Sequence, residues 1–535
     1  MKIDDIDKII SFFYEVYLFT DEDMLIHRCC QQIIDEIVDK ASKRPCTIEE
    51  KLRQIRDELK DKIRIYLTTY KRDEVNIGMS CLKAYYKVRI SDMKNEQDDF
   101  EYSTRFEEIL NLILLENESE VKGKNSIING SKNMEMSFRL AYHYCVLDDN
   151  MGHYTGQKEK CNKFLKDDLK LIFKEGSCYS EEYSNYMDSY LFMNLYEVPE
   201  DSEIQTPAIR KRIQKKKLAI EEIRRLQESA LKTYLGFSFE DLRLFTDFLF
   251  QHQHNNVYFF MGEKDTVDEI DKMFGIGAEA ERIIDYFAID FPRINNTQKV
   301  NKIRLLELKS ILKIDGSLLI YPFEFVFNSN CFEKMVLKKH FFEYLAVGLE
   351  DSQRAEFGRA LDKYEEKLSS FLAYVLLDEF CVNDYIVPKC GEEPMAEITS
   401  IIKVMEDKNQ KNILKDGENK GDIDVLAADP EKKEIYNIEI KFYQPLENAR
   451  EMYSVKKEDE RNKNIVNPLR REQILCKNMD AVLHFLELDP CEAEKYRIRT
   501  IFVTPRPDYW LKKERPGVEY YEWAEMLDGI RKKSL

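Results

Sequence analysis

Proline and glycine are scarce in this chain, at 14 and 18 of 535 residues. That scarcity excludes long disordered linkers. Cysteine pairs are missing as well. The 12 cysteines are scattered, only Cys29 and Cys30 adjoin, and no CxxC occurs, so a zinc site built on paired cysteines is not expected. No apolar run reaches the ~18 residues of a membrane helix, so no membrane partner is expected. The opening MKIDDIDKIISFFYEVYLF carries Asp4, Asp5 and Asp7 on an amphipathic helical pattern. No secretory leader is visible, and a reduced, cytoplasmic setting is expected. A phosphate-binding GxxxxGK[ST] loop and a GxS-type nucleophile elbow are also absent. Basic charge is not in excess either, since the net charge is −18. A general nucleic-acid coat protein is therefore disfavoured, although a local basic groove can coexist with an acidic body.

What the chain does have is core-forming residues: 43% hydrophobic and 12% aromatic. Its length suggests roughly two to four domains. Up to about Val300 the pattern is helical. Ile33, Ile34, Ile37 and Val38 recur at helical spacing, as do Leu52, Ile55, Leu59, Ile63 and Leu67. Glu116–Lys132 is polar and reads as an exposed loop, and YEVPEDSEIQTP (196–207) as a break between subdomains. The expected division is a helical domain over 1–200, a second helical subdomain over 201–310, a small β connector over 311–341 and an α/β domain over 342–535.

Several features admit two readings. IRKRIQKKKLAIEEIRRLQ (209–227) is a basic helix whose cations could meet phosphates or simply form a solvated face. Asp265–Phe291 resembles a helix-turn-helix pair, a connection that also joins many ordinary bundle helices. KIDGSLLIYPFEFVF has a turn at Asp315-Gly316 between β-prone flanks and predicts a hairpin. His252 and His254 read as a polar helix end rather than a metal pair. Arg139 and His143 share a helix face, but their spacing is one residue short of the RNA-cleaving motif they suggest.

The chemistry concentrates in GDIDVLAADPEKKEIYNIEIKFYQP (421–445). On a strand, alternate residues share a face. Asp422 and Asp424 therefore oppose Ile423 and Val425. After a turn opened by Asp429-Pro430, Glu439 and Lys441 oppose Ile438, Ile440 and Phe442 on a returning strand over about 435–442. Pairing of the two strands would bring both acids and the lysine to one face. Clustered carboxylates repel and are costly to desolvate. A divalent cation relieves that conflict, and Mg²⁺ binds one or two carboxylates with waters and substrate phosphate. Lys441 could hold the attacking water or offset phosphate charge.

GDIDVL, a hairpin and then IEIK resembles the core of the PD-(D/E)XK nuclease superfamily, over the last third of the chain only. The resemblance implies a restriction-endonuclease-like α/β domain behind a mostly α-helical N-terminal region. It implies Asp424 and Glu439 as metal ligands and Lys441 as the catalytic lysine. Ile423 stands where the motif has proline. In FGRALDKYEEKLSSFLAYVLLDEF, Glu365 matches the glutamate that reaches the metal, with Glu366 as alternate. In NPLRREQILCKNMDAVLHFL, Gln473 matches a glutamine near the active site, and Arg470, Arg471 and Lys477 could meet the phosphodiester backbone. RIRTIFVTP (497–505) is the expected third strand, VEYYEWAEMLDGI a last strand and helix, and Ile401, Ile402 and Val404 a possible extra strand. The implied activity is Mg²⁺-dependent phosphodiester hydrolysis, with Mn²⁺ as substitute and DNA favoured over RNA. The architecture resembles bacterial antiviral defence effectors, with the helical region binding a regulatory partner or a second copy. The alternative is a catalytically silent module that binds nucleic acid or protein.

Overall fold

The computed structural model of the chain describes residues 2–17, 24–92, 97–118, 123–156, 158–174, 207–296, 302–336, 342–390, 393–395, 423–441, 464–504, 511 and 518–535. This part is mostly helical, with a small mixed sheet near the C-terminal end. It forms two compact units, one from 1–180 and 227–361, the other from 181–226 and 362–535. Among the described residues, no helix is long and apolar enough to cross a membrane.

Helical periodicity organises the first unit. Helix Ile48–Leu67 begins where the Thr47 hydroxyl accepts from the Glu50 amide and Glu50 accepts from the Thr47 amide. This reciprocal cap satisfies two otherwise orphaned donors. Leu52, Ile55, Leu59, Ile63 and Leu67 are all buried, in one core with Ile34, Ile37 and Val38. The unit also buries two lysines of helix Arg72–Asp92. Lys83 Nζ donates to the carbonyls of Leu306 and Lys309 at 2.6 and 3.0 Å, and Lys87 Nζ donates to that of Glu307 at 2.8 Å. These cations satisfy the carbonyls at the C-terminal end of helix Lys302–Glu307, where the helix dipole is negative.

The predicted hairpin is present. Strands β1 (Phe259–Gly262), β2 (Ile311–Ile314) and β3 (Ser317–Ile320) form an antiparallel sheet in the order β1-β3-β2. Asp315 and Gly316 turn it with φ of 48° and 77°. The apolar YPFEFVF that follows is not strand. It enters helix Pro322–Val336, because proline is preorganised for a first helical position. The helix pair near 265–291 consists of Glu263–Phe274 and Gly277–Phe287, with Gly275 at φ 71° between them. His252 caps helix Phe239–Gln251, a polar helix end as expected.

The second unit is built on a four-stranded sheet. Beyond the short pair β4 (Lys389–Cys390) and β5 (Glu393–Pro394), it contains β6 (Val425–Asp429), β7 (Glu434–Ile440), β8 (Arg497–Thr504) and β9 (Glu519–Glu522), in that spatial order. β6 runs antiparallel to β7, while β7, β8 and β9 are parallel. One face packs Leu426, Ala428, Ile435 and Ile498 against Ile474, Leu475, Val482 and Leu483. Those four belong to helices Val466–Lys477 and Met479–Phe485. On the other face Tyr436 stacks on Phe380 of helix Asp351–Val382, ring centroids 6.0 Å apart. Ile401, Ile402 and Val404 lie outside the described residues.

Candidate active site

The hairpin that carries the site is closed by its own turn chemistry. Asp429 ends β6, and its Oδ1 accepts from the amides of Glu431 and Lys432 at 3.0 and 3.1 Å. An aspartate side chain that bonds its own backbone two residues on is a strong turn former. Val425 pairs with Ile438, so Asp424 lies one step beyond the ladder, opposite Glu439. Asp424 Oδ2 accepts from the Ile440 amide at 2.6 Å. Strand alternation puts Glu439 on the face of Ile435 and Asn437, beneath helix Val466–Lys477.

Three of the residues expected from the sequence meet there. Glu439 is buried, and its Oε1 lies 2.8 Å from the Lys441 ammonium. The Lys441 side chain keeps 34% of its surface exposed, so it stands at the mouth of the cluster. Glu439 Oε2 accepts from the guanidinium of Arg471, whose side chain is only 2% exposed. Burial first, and then the Glu439 carboxylate, push the Asp424 carboxyl up to about 7, against the pull of the Ile440 amide, Lys441 and Arg471. Burial works to lower the Lys441 ammonium, but Glu439 and then Asp424 outweigh it and raise its pKa. The cluster thus holds two acids and two cations, and one of the acids ionises reluctantly.

Other expected residues stand elsewhere. Arg471 is not a surface cation waiting for a phosphate, because it points inward to Glu439. Gln473 is exposed on the outer side of its helix. At about 100° per residue, it lies about 200° around from Arg471. Glu472 is the neighbour that reaches the sheet, accepting from the Thr500 hydroxyl on β8. Arg470 is half-buried, and Lys477 is exposed at the helix end. Glu366 is exposed on helix Asp351–Val382. Asp422 and the side chain of Glu365 lie outside the described residues.

The burial of Arg471 and its link to Glu439 were missed from the sequence, yet a signal exists. Arg471, Ile474 and Leu475 fall at i, i+3 and i+4, so the arginine continues the apolar stripe of its helix. A cation on the buried stripe needs a buried acid, and Glu439 is the acid on the facing strand.

The donor set bears on whether a divalent cation fits. Asp424 and Glu439 stand opposite each other one step beyond the β6–β7 ladder, and their mutual repulsion is what a cation relieves. Among the described residues no group of three or more histidine, cysteine or acidic side chains is placed to hold a metal. The described fit is that of two carboxylates, which Mg²⁺ completes with waters and substrate oxygens.

A second charged network sits at the opposite end of β7. Glu434, buried, accepts from Arg497 and, at 2.7 Å, from Arg499, and Arg499 also binds Glu519. Burial would raise the Glu434 carboxyl, but the bonds from Arg499 and Arg497 prevail and hold it low. These pairs tie β7, β8 and β9 together.

Compared with known proteins, the chain matches no family model, no curated protein and no solved structure.

Proposed function

We propose that the second unit is a metal-dependent nuclease domain of PD-(D/E)XK type that hydrolyses phosphodiester bonds, with DNA as its substrate. The observation that carries this reading is the meeting of Asp424, Glu439 and Lys441 at one end of the β6–β7 hairpin. An acid before one strand and an acid-x-lysine triplet on the next is the order that the sequence resemblance requires. Asp424 and Glu439 would hold Mg²⁺ or Mn²⁺, with Glu365 proposed as a further ligand. The bound metal supplies Lewis-acid stabilisation of charge on the scissile phosphate. Lys441, at the mouth of the cluster, can turn its ammonium toward an incoming phosphate. Glu439 keeps a counter-ion while it does so, because Arg471 remains bonded to it from the interior.

Purified chain would be incubated with linear duplex, supercoiled plasmid, single-stranded DNA and RNA, with Mg²⁺ or Mn²⁺. Cleavage of DNA is expected, with a loss of at least a hundredfold in Asp424→Ala and Lys441→Ala and an unchanged far-UV circular dichroism spectrum. Cleavage that survives in both variants would falsify the assignment. Cleavage of RNA alone would keep the chemistry and change the substrate.

A second reading has its own observation. Both oxygens of Glu439 are already engaged by cations. A cluster that neutralises itself suits a catalytically silent binding module. That reading predicts metal-independent nucleic-acid binding and no cutting of any substrate.

A further inference from the structure

Arg471 is the one member of the cluster that the sequence pattern placed in the wrong role, and its geometry is informative. Its side chain is 2% exposed, that of Glu439 7% and that of Lys441 34%. The two oxygens of Glu439 are thus divided. Oε2 faces the interior and Arg471, while Oε1 faces Lys441 and the opening. Asp424 stands on the neighbouring strand end, opposite Glu439.

The two cations on Glu439 are not equivalent. An ammonium on a flexible stem at a half-exposed position can leave for a phosphate. A guanidinium cannot be deprotonated in a protein. Enclosed by its helix and the sheet, it cannot follow substrate outward. Arg471 therefore stays on Oε2 whichever way Lys441 points, and it fixes which oxygen of Glu439 is on offer.

Resting on the metal-site reading above, we propose that Arg471 is a positioning residue. It locks Oε2 of Glu439 in the interior, so that a divalent cation beside Asp424 is held through Oε1 alone, in exchange for the ammonium of Lys441. The site would then take a cation on one oxygen of Glu439 rather than on both.

The test is calorimetric titration of the full-length chain with Mn²⁺, with no nucleic acid present. Wild type, Arg471→Met, Arg471→Lys, Glu439→Gln and the double variant Glu439→Gln/Arg471→Met are compared. Positioning predicts that Arg471→Met weakens Mn²⁺ binding at least tenfold, although it removes a positive charge from an acidic site. Arg471→Lys should recover part of the loss. On the Glu439→Gln background, Arg471→Met should cost less than a further twofold, because it acts through Glu439. Tighter Mn²⁺ binding by Arg471→Met would overturn the proposal, since that is what removal of a repelling charge alone would produce. Unchanged affinity, or full additivity with Glu439→Gln, overturns it too. If Arg471→Met does not fold, Arg471→Lys decides: it keeps the charge and loses the guanidinium that reaches Oε2, so an affinity equal to wild type counts against positioning. Wild type that binds no Mn²⁺ removes the metal reading itself and this proposal with it. Wild type that binds while the Arg471 variants match it removes only the role of Arg471.

Discussion

Asp424 sits half-buried beside Glu439, and its carboxyl is held up at about 7 against an ordinary 3.8, by burial first and then by that neighbour. The sign of the consequence follows from linkage. The folded chain binds this proton more tightly than the unfolded chain does. The stabilisation is therefore complete below about pH 4 and is lost as pH rises through about 7. Asp424→Asn removes this titration. Between pH 5.5 and 8, the urea midpoint of the wild type should fall relative to that of Asp424→Asn. Parallel pH profiles for the two would show that Asp424 is an ordinary exposed acid. At the same scale, the convergence of Asp424, Glu439 and Lys441 was legible because strand alternation is strict: once the strands pair, the faces follow. Gln473 and Arg471 were harder. Their roles depend on helical phase, where two residues exchange inside for outside, and motif matching selected Gln473 on the exposed side.

Elements whose signals are local were read well, and elements set by competition were not. The turn at Asp315-Gly316 was visible because both positions need positive φ, which Asp-Gly supplies. Strand β8 and the final strand and helix appeared where alternation and spacing put them. The stretch NPLRREQILCKNMDAVLHFL reads as one helix but forms two, joined at Asn478. There the Asn478 side chain donates to the Ile474 carbonyl at 2.8 Å, and the backbone leaves the helical region at φ −127° and ψ 34°. Asparagine offers the backbone this alternative to continued helix, and hydrophobic periodicity does not reveal it. The hairpin turn gives a prediction at this scale. A Cβ on Gly316 meets nothing within 4 Å, so steric contact is not at issue and the positive φ of 77° is. Gly316→Ala should cost about 1 kcal/mol, read as a lower urea midpoint for unfolding of the first unit. An unchanged midpoint would mean that the turn relaxes without strain.

Neither compact unit is a continuous piece of chain, and that arrangement is the least legible feature of all. The second unit joins 181–226 to 362–535. Periodicity marks no boundary at 226 or 362, because long helices run through both points: Pro207–Tyr234 and Asp351–Val382. What binds the early segment to the later one is specific. Lys216 lies 2.8 Å from Asp378, whose side chain is 9% exposed, and Lys215 stands 4.6 Å over the ring of Tyr374. Lys367 and Glu222 form a looser, more exposed pair at 3.4 Å. The basic helix over 209–227 thus spends some of its cations on this internal seam, where the sequence alone left phosphate contact open. A buried carboxylate that loses its partner destabilises by about 3 kcal/mol, whereas an exposed pair is worth about 0–1 kcal/mol. Lys216→Met takes one cation from Asp378 and should therefore destabilise the second unit by more than an exposed pair is worth, about 1 kcal/mol or above. Lys216→Met combined with Asp378→Asn should recover much of that loss, and Glu222→Gln should change little. Amide hydrogen exchange of β6, β7 and β8 in the full chain reads the effect directly. A fragment over 342–535 carries Asp378 without Lys216 and should exchange those strands faster than the intact chain. Equal protection in fragment and full chain would show that the sheet holds together from its own residues, and that the seam along Lys216 adds nothing to it.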